Sequence, residues 1–238
     1  MPRSKGRDSA HRQGKKATAE RAREVYVFAE GAVTEELYID IIRDHGTRAN
    51  PGRRVNFDCR TTHVATKYRK PVILVDEAVK LRRSVTREAR RAGLTEDDWS
   101  WPQVWCLFDR DKHEQIPTAF ADARAAGVHI AYSHPCFELW RLLHYQNYTS
   151  TFGGVCNSAA DLLKGQPGFA KTYGPKVTKV SDQLAKSVRP DQVVGGYKKA
   201  RSFAKKLNAQ HTGPDQTTWD PYTDVWRFVE DALDLTGY

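Results

Sequence analysis

The sequence predicts an α/β protein: a mostly parallel sheet with helices on both faces, followed by a helical C-terminal extension. Three observations predict it. Three apolar runs of strand length, "VYVFA" (25–29), "QVWCLF" (103–108) and "VHIAYS" (128–133), are nearly continuous, as strands buried on both faces are. Segments with helical spacing separate them, and a strand–helix–strand alternation favours parallel pairing through crossovers. Gly, Pro and Asn punctuate the joins.

The elements follow in order. Residues 1–24 carry eight Lys and Arg against three acids, lack apolar periodicity, and read as a basic disordered arm. Residues 25–150 read as the sheet domain and 151–238 as a helical extension of that domain. After the strand 25–29, Thr34 is placed to cap a helix whose Leu37, Tyr38, Ile41 and Ile42 recur at helical spacing. Asn50-Pro51-Gly52 is a turn, and "RRVNFDC" (53–59) alternates as a strand. Pro71 opens a long helix, apolar along Leu74, Ala78, Leu81, Val85 and Ala89, basic along Lys80, Arg83, Arg87 and Arg90, and ended by Gly93. A shorter helix runs from Ile116 to Ala126 and stops at Gly127; Pro135 opens the helix of "PCFELWRLLHY". "TSTFGG" (149–154) reads as a loop, and about 157–164, 180–187, 196–209 and 221–235 read as helices.

An apolar content of 39% with six Trp and ten Tyr supplies a real core and argues against general disorder. No apolar run approaches the roughly 20 residues of a membrane span, and the N-terminus lacks the apolar core of a secretory signal. Cys59, Cys106, Cys136 and Cys156 are widely spaced with no C-x-x-C pair. Neither a zinc site nor a disulfide framework is expected, Cys106 and Cys136 read as small buried hydrophobes, and a reducing cytoplasm fits best. The net charge of +9 is uneven: residues 43–91 hold fourteen bases against five acids, whereas 25–42 and 92–150 are acidic on balance. A basic sector beside an acidic one suits phosphate attraction next to cation attraction, and equally a solvated surface.

Two of the strands end in carboxylates. The first runs into Glu30-Gly31 and the second into Asp109-Arg110-Asp111. Ligands of open α/β sheets collect at the carboxyl ends of strands. If these strands are neighbours, three acids converge, with Asp109 and Asp111 projecting the same way by alternation. Mg²⁺ prefers such oxygen ligands. D-x-D alone is weak, since a haloacid-dehalogenase-type nucleophile and acid pair also has this form, and strand-end acids can be plain helix caps.

The sequence of strand, Glu-Gly, helix, then a later strand ending in D-x-D, resembles the Toprim fold of topoisomerases, primases and a class of nucleases. More narrowly, "FAEGAVTEELYI", "VWCLFDRDKH" and "SHPCFELWRLLHY" resemble signature blocks of the RloB family, a Toprim-like family associated with bacterial restriction and phage-defence loci. "GYKKA" and "PYTDVW" resemble its C-terminal pattern, so the likeness covers most of 25–230. It implies Mg²⁺, with Mn²⁺ substituting, held by Glu30, Asp109 and Asp111. It adds Glu35 as a second metal-binding acid, although any acid in a first helical turn is favoured by the macrodipole. It adds Glu138, whose plain account is an i,i+3 pair with Arg141. Lys198 is its candidate for stabilising transition-state charge, against the reading of one more base on an exposed helix. Glu36 is expected to face solvent, His144 to be structural, and His113 and His134 to lie near the site; Trp99 and Trp101 are expected to cover a sheet edge.

The implied function is a metal-dependent nuclease in a bacterial phage-defence or restriction-associated system. Lys80, Arg83, Arg87 and Arg90 would track the phosphate backbone of nucleic acid, DNA ahead of RNA. A partner ATPase of the RloA type is implied, no membrane is, and a homo-oligomer is left open. The alternative is a non-catalytic nucleic-acid-binding subunit of such an ATPase complex.

Overall fold

The computed structural model describes residues 21–61 and 64–238. Residues 1–20 of the expected basic arm lie outside the described residues, and the first strand, β1 (Arg23–Ala29), begins two residues earlier than expected. It is followed by α1 (Thr34–His45), β2 (Thr47–Arg48), β3 (Val55–Cys59), α2 (Pro71–Arg91), β4 (Gln103–Asp109), α3 (Ile116–Ala126), β5 (His129–His134) and α4 (Phe137–Leu143). The C-terminal part holds α5 (Cys156–Lys164), α6 (Asp182–Ala185), α7 (Pro190–Val193), α8 (Tyr197–Asn208), β6 (Tyr222–Thr223), α9 (Val225–Arg227) and β7 (Leu235–Gly237).

The main sheet has the order β3-β1-β4-β5-β6. The first four strands are parallel, and β6 runs antiparallel to β5 at the edge. Alternation along each strand splits the core in two. Val25, Val27 and Ala29 of β1, Trp105 and Leu107 of β4 and Ala131 of β5 face α1, α4 and α8. Phe28, Val104, Cys106, Phe108 and Tyr132 face α2 and α3 on the other side. This double burial is why the strands read as continuous apolar runs. The apolar stripe of α2 inserts Leu74, Val75, Ala78 and Val85. Burial of Leu74, Val75 and Val85 contributes about 1.5–3 kcal/mol each.

Several expectations are corrected. Thr34 does not cap α1: Val33 occupies the cap position without a side-chain bond, and the Thr34 hydroxyl donates to the Lys186 carbonyl at 3.3 Å. The segment 221–235 is not one helix. Tyr222 and Thr223 pair with His134 and Ser133 as the edge strand, because an aromatic and a β-branched residue after Pro221 suit a sheet edge and Asp224 accepts the Tyr132 N–H at 2.7 Å. The chain then makes α9 and a wide turn at Phe228–Ala232 before β7 pairs with β2. Cys136 is not a free buried thiol; it is joined to Cys156 in a disulfide. The separation of 20 residues hid the pair, whose Cα atoms lie 5.4 Å apart where α4 and α5 begin side by side. Among the described residues, no helix is long and apolar enough to cross a membrane.

Candidate metal centre

The strand order creates a crevice at one place. From β1 the chain crosses to β3 on one side, then passes back through α2 to β4 on the other, so β1 and β4 lie side by side while the helices that follow them, α1 and α3, leave on opposite faces. This is the switch point at which parallel sheets bind ligands. Ala29 pairs with Leu107, and the Glu30 N–H continues the ladder to the Leu107 carbonyl at 2.9 Å. Glu30 and Asp109 therefore leave adjacent strand ends together, and Glu30 Oε2 accepts the Asp109 N–H at 3.0 Å. Asp109 Oδ2 accepts the first helical N–H of α4, from Phe137, at 2.9 Å.

Glu35 folds back from the first turn of α1 so that Oε1 accepts the Gly31 N–H at 3.1 Å, and it is only 5% exposed. Gly31 makes that possible, since a Cβ there would fall 1.7 Å from Glu35 Oε2. Burial, reinforced by the charge of Glu138 and Glu30, pushes the Glu35 carboxyl up to about 7. Burial, then the charges of Glu35, Glu30 and Glu138, push Asp109 well above the usual carboxylate range. Burial also raises Glu30, opposed by the Asp109 N–H and by His113, whose Nε2 lies 2.6 Å from Glu30 Oε1. Glu30, Glu35, Asp109 and Glu138 thus form one electrostatically linked group.

Asp111 stands apart in conformation. The strand ends at Asp109, the chain turns, and Asp111 adopts a left-handed φ of 31° while its N–H donates to the Pro135 carbonyl at 3.1 Å. Its side chain is exposed, so it does not share a strand face with Asp109, although its charge still reaches Glu30. Strand alternation cannot be extended through a turn, which is why that expectation fails.

The donor set is one a hard divalent cation takes: carboxylates at one sheet edge, Glu35 buried and Glu30 and Asp109 half-buried, repelling one another. Glu30, Asp109, Glu35 and Asp111 could hold such an ion by that chemistry. In this conformation their oxygens are not drawn together. Among the described residues, the group whose ligand atoms all lie within 4.8 Å of one another is Cys136, Glu138 and Cys156. Glu138 Oε1 also lies 3.9 Å from buried Arg141, whose guanidinium donates to the Ala185 carbonyl and Gln192.

Lys198 is exposed on α8, and no hydrogen bond or ion pair among the described residues joins it to the acidic group. Lys80 is tied up by Asp76 and Glu77 at 2.8 Å each, and Arg90 by Glu96 at 3.1 Å. Arg83, Arg87, Arg90 and Arg91 with Thr86 line a shallow groove of about 590 Å³. The amino end of α2 lies at the acidic crevice, where Lys70 and Pro71 share a cleft with Lys112 and His113. Arg87 is sixteen residues past Pro71 on α2, about 24 Å along a helix.

Three contributors escaped the sequence reading. Glu36 does not face solvent freely; it accepts from Arg69 at 2.9 Å. Arg69, 2% exposed, also donates to the carbonyls of Gly31, Val64 and Thr61, which fastens the loop after β1 to the loop after β3. The Thr61 hydroxyl accepts the Ala29 N–H at 3.0 Å, just before Glu30. No local pattern marks a single Arg as buried. His144 is buried between the Trp140 carbonyl and the Tyr238 hydroxyl, a structural place. Trp101 is buried, and Trp99 lies under Arg23 and Arg53 at the start of β1.

A search of curated proteins found no match, and neither did a search of solved structures. The family profile described as RloB-like protein matches residues 25–231, a span that begins inside β1 and takes in α1, β4, α4 and the whole acidic group. By that match, the chain belongs to the RloB-like family.

Proposed function

We propose that this chain is a Mg²⁺- or Mn²⁺-dependent nuclease that hydrolyses phosphodiester bonds of nucleic acid. The observation that carries the reading is the bonded pair Glu30–Asp109 at the switch point, with buried Glu35 and half-buried Glu138 beside it and too little positive charge to offset them. Glu30, Asp109 and Asp111 would hold the ion, with Glu35 and Glu138 as further carboxylates. Bound there, the cation supplies Lewis acidity for hydrolysis near neutral pH. The Phe137 N–H holds Asp109 in place, and Arg69 keeps the Glu30–Gly31 loop from moving. Lys70 and Lys112 lie where a substrate phosphate would enter, and the arginines of α2 extend that track. A span of about 24 Å corresponds to roughly seven base pairs of a duplex laid along α2. A Toprim-type site, a phage-defence setting and a partner ATPase of the RloA type are the parts of the proposal that rest on the family resemblance alone, as does Lys198 as a catalytic group; a cytoplasmic location rests on the N-terminal sequence and the cysteine spacing.

The test uses purified full-length protein with plasmid DNA and with RNA, with Mn²⁺, Mg²⁺ or chelator. Metal-dependent cleavage that disappears in the Glu30→Gln, Asp109→Asn double variant supports the reading; full cleavage by that variant, or cleavage insensitive to chelator, refutes it. A second reading, a nucleic-acid-binding subunit without catalysis, is favoured by the occupation of Glu30 Oε1 by His113. It is chosen if binding survives the double variant and no metal gives cleavage.

A further inference from the structure

Cys136 and Cys156 stand outside the proposed hydrolytic chemistry, and Glu138 of the acidic group lies beside them. Cys136 is buried immediately before α4, Glu138 lies in the first turn of that helix, and Cys156 begins α5. Their ligand atoms all fall within 4.8 Å of one another. Glu138 Oε2 lies 3.7 Å from Cys156 Sγ, while the sulfurs are joined. A tetrahedral Zn²⁺ with bonds of about 2.3 Å to sulfur and about 2.0 Å to oxygen spaces its ligands roughly 3.5–3.8 Å apart. The carboxylate-to-sulfur distance already meets that spacing. Two thiols freed from their bond separate to van der Waals contact, which is close to the sulfur–sulfur spacing of the same tetrahedron.

We propose that Cys136, Glu138 and Cys156 form a thiol-gated site for Zn²⁺ or a similar thiophilic divalent cation, closed as a disulfide when oxidised and open as a three-ligand site when reduced. Opening is a two-electron step. A dithiol reductant transfers two electrons and two protons to the S–S bond and becomes a disulfide itself, leaving two thiols on the protein. Metal binding then releases both S–H protons to water and leaves two thiolates and one carboxylate on the ion. The donor softness separates this site from its neighbour, since thiolates select Zn²⁺ where an all-carboxylate set selects Mg²⁺ or Mn²⁺. Cys156 and Glu138 are partly exposed, so the fourth position faces solvent and is taken by water. Glu138 links the two places, because its charge is felt by both Glu35 and Asp109.

The experiment takes the full chain, reduced with a phosphine and stripped of metal, and titrates Co²⁺ as a spectroscopic stand-in for Zn²⁺. The expected result is a thiolate-to-cobalt charge-transfer band in the near ultraviolet and tetrahedral bands in the visible that saturate at one equivalent and are displaced by Zn²⁺. The same polypeptide carrying the disulfide should give no such band, a control that needs no substitution. Cys156→Ser should abolish the band, and Glu30→Gln with Asp109→Asn should leave it intact, so this proposal and the nuclease reading fail separately. A reduced protein with no charge-transfer band, an oxidised protein that gives the same band, or a Cys156→Ser variant that keeps it would overturn the assignment.

Discussion

Glu35→Gln should stabilise the metal-free protein at high pH and do little at low pH. The folded chain holds the Glu35 proton more tightly than the unfolded chain, with a carboxyl raised from 4.5 to about 7. The sign follows: this group's contribution is complete below about pH 4.5 and is lost as pH rises through about 7. At about pH 8 the shift corresponds to something on the order of 3 kcal/mol of stability forgone. Gln keeps an oxygen for the Gly31 N–H and removes the negative charge that Glu138 and Glu30 repel. In chelator at about pH 8 the variant should therefore unfold roughly 6–12 °C above the wild type, and at about pH 4 within a degree or two. Thermal unfolding followed by circular dichroism at both pH values measures it, repeated with Mn²⁺. Mn²⁺ should raise the wild-type midpoint more than that of the variant, and more at the higher pH, because the ion relieves the same repulsion. A variant less stable than wild type at about pH 8, or a stability difference that does not change with pH, would refute the picture of four mutually repelling carboxylates.

Three further outcomes are expected. Arg69→Ala removes a buried guanidinium from Glu36 and three carbonyls and should cost about 3–5 kcal/mol, read by urea unfolding. Arg83→Ala with Arg87→Ala should weaken nucleic-acid binding evenly across sequences and flatten the slope of log affinity against log salt by about 2, measured by anisotropy titration at several salt concentrations. Tyr38→Phe leaves the Trp140 indole N–H and the Tyr238 hydroxyl without the partner they share at 2.8 and 2.6 Å, and should cost about 1–3 kcal/mol in the same unfolding assay.

Much of the fold was legible because burial writes a local period. The continuous runs at 25–29, 103–108 and 128–133 became β1, β4 and β5, and the stripe through Leu74, Ala78 and Val85 became the buried face of α2. The edge strand β6 was missed because two residues carry too little pattern to outweigh the helical spacing around them, and their pairing with β5 comes from far along the chain. Asp111 illustrates the same limit: D-x-D is visible, but the turn that rotates the second Asp off the strand face depends on the Pro135 carbonyl.

The amino-acid sequence by itself determined the strands β1, β4 and β5 and the helices between them, that strands run into Glu30 and Asp109, and which family the chain resembles, because these depend on neighbours a few residues away. Only the tertiary structure decided that Glu30 and Asp109, 79 residues apart, share a hydrogen bond. It also decided that Glu35 is buried over Gly31, that Arg69 holds the loop, and that Cys136 meets Cys156. Strand order and helix docking set those contacts, and they are chosen by the whole core at once rather than by any window of sequence.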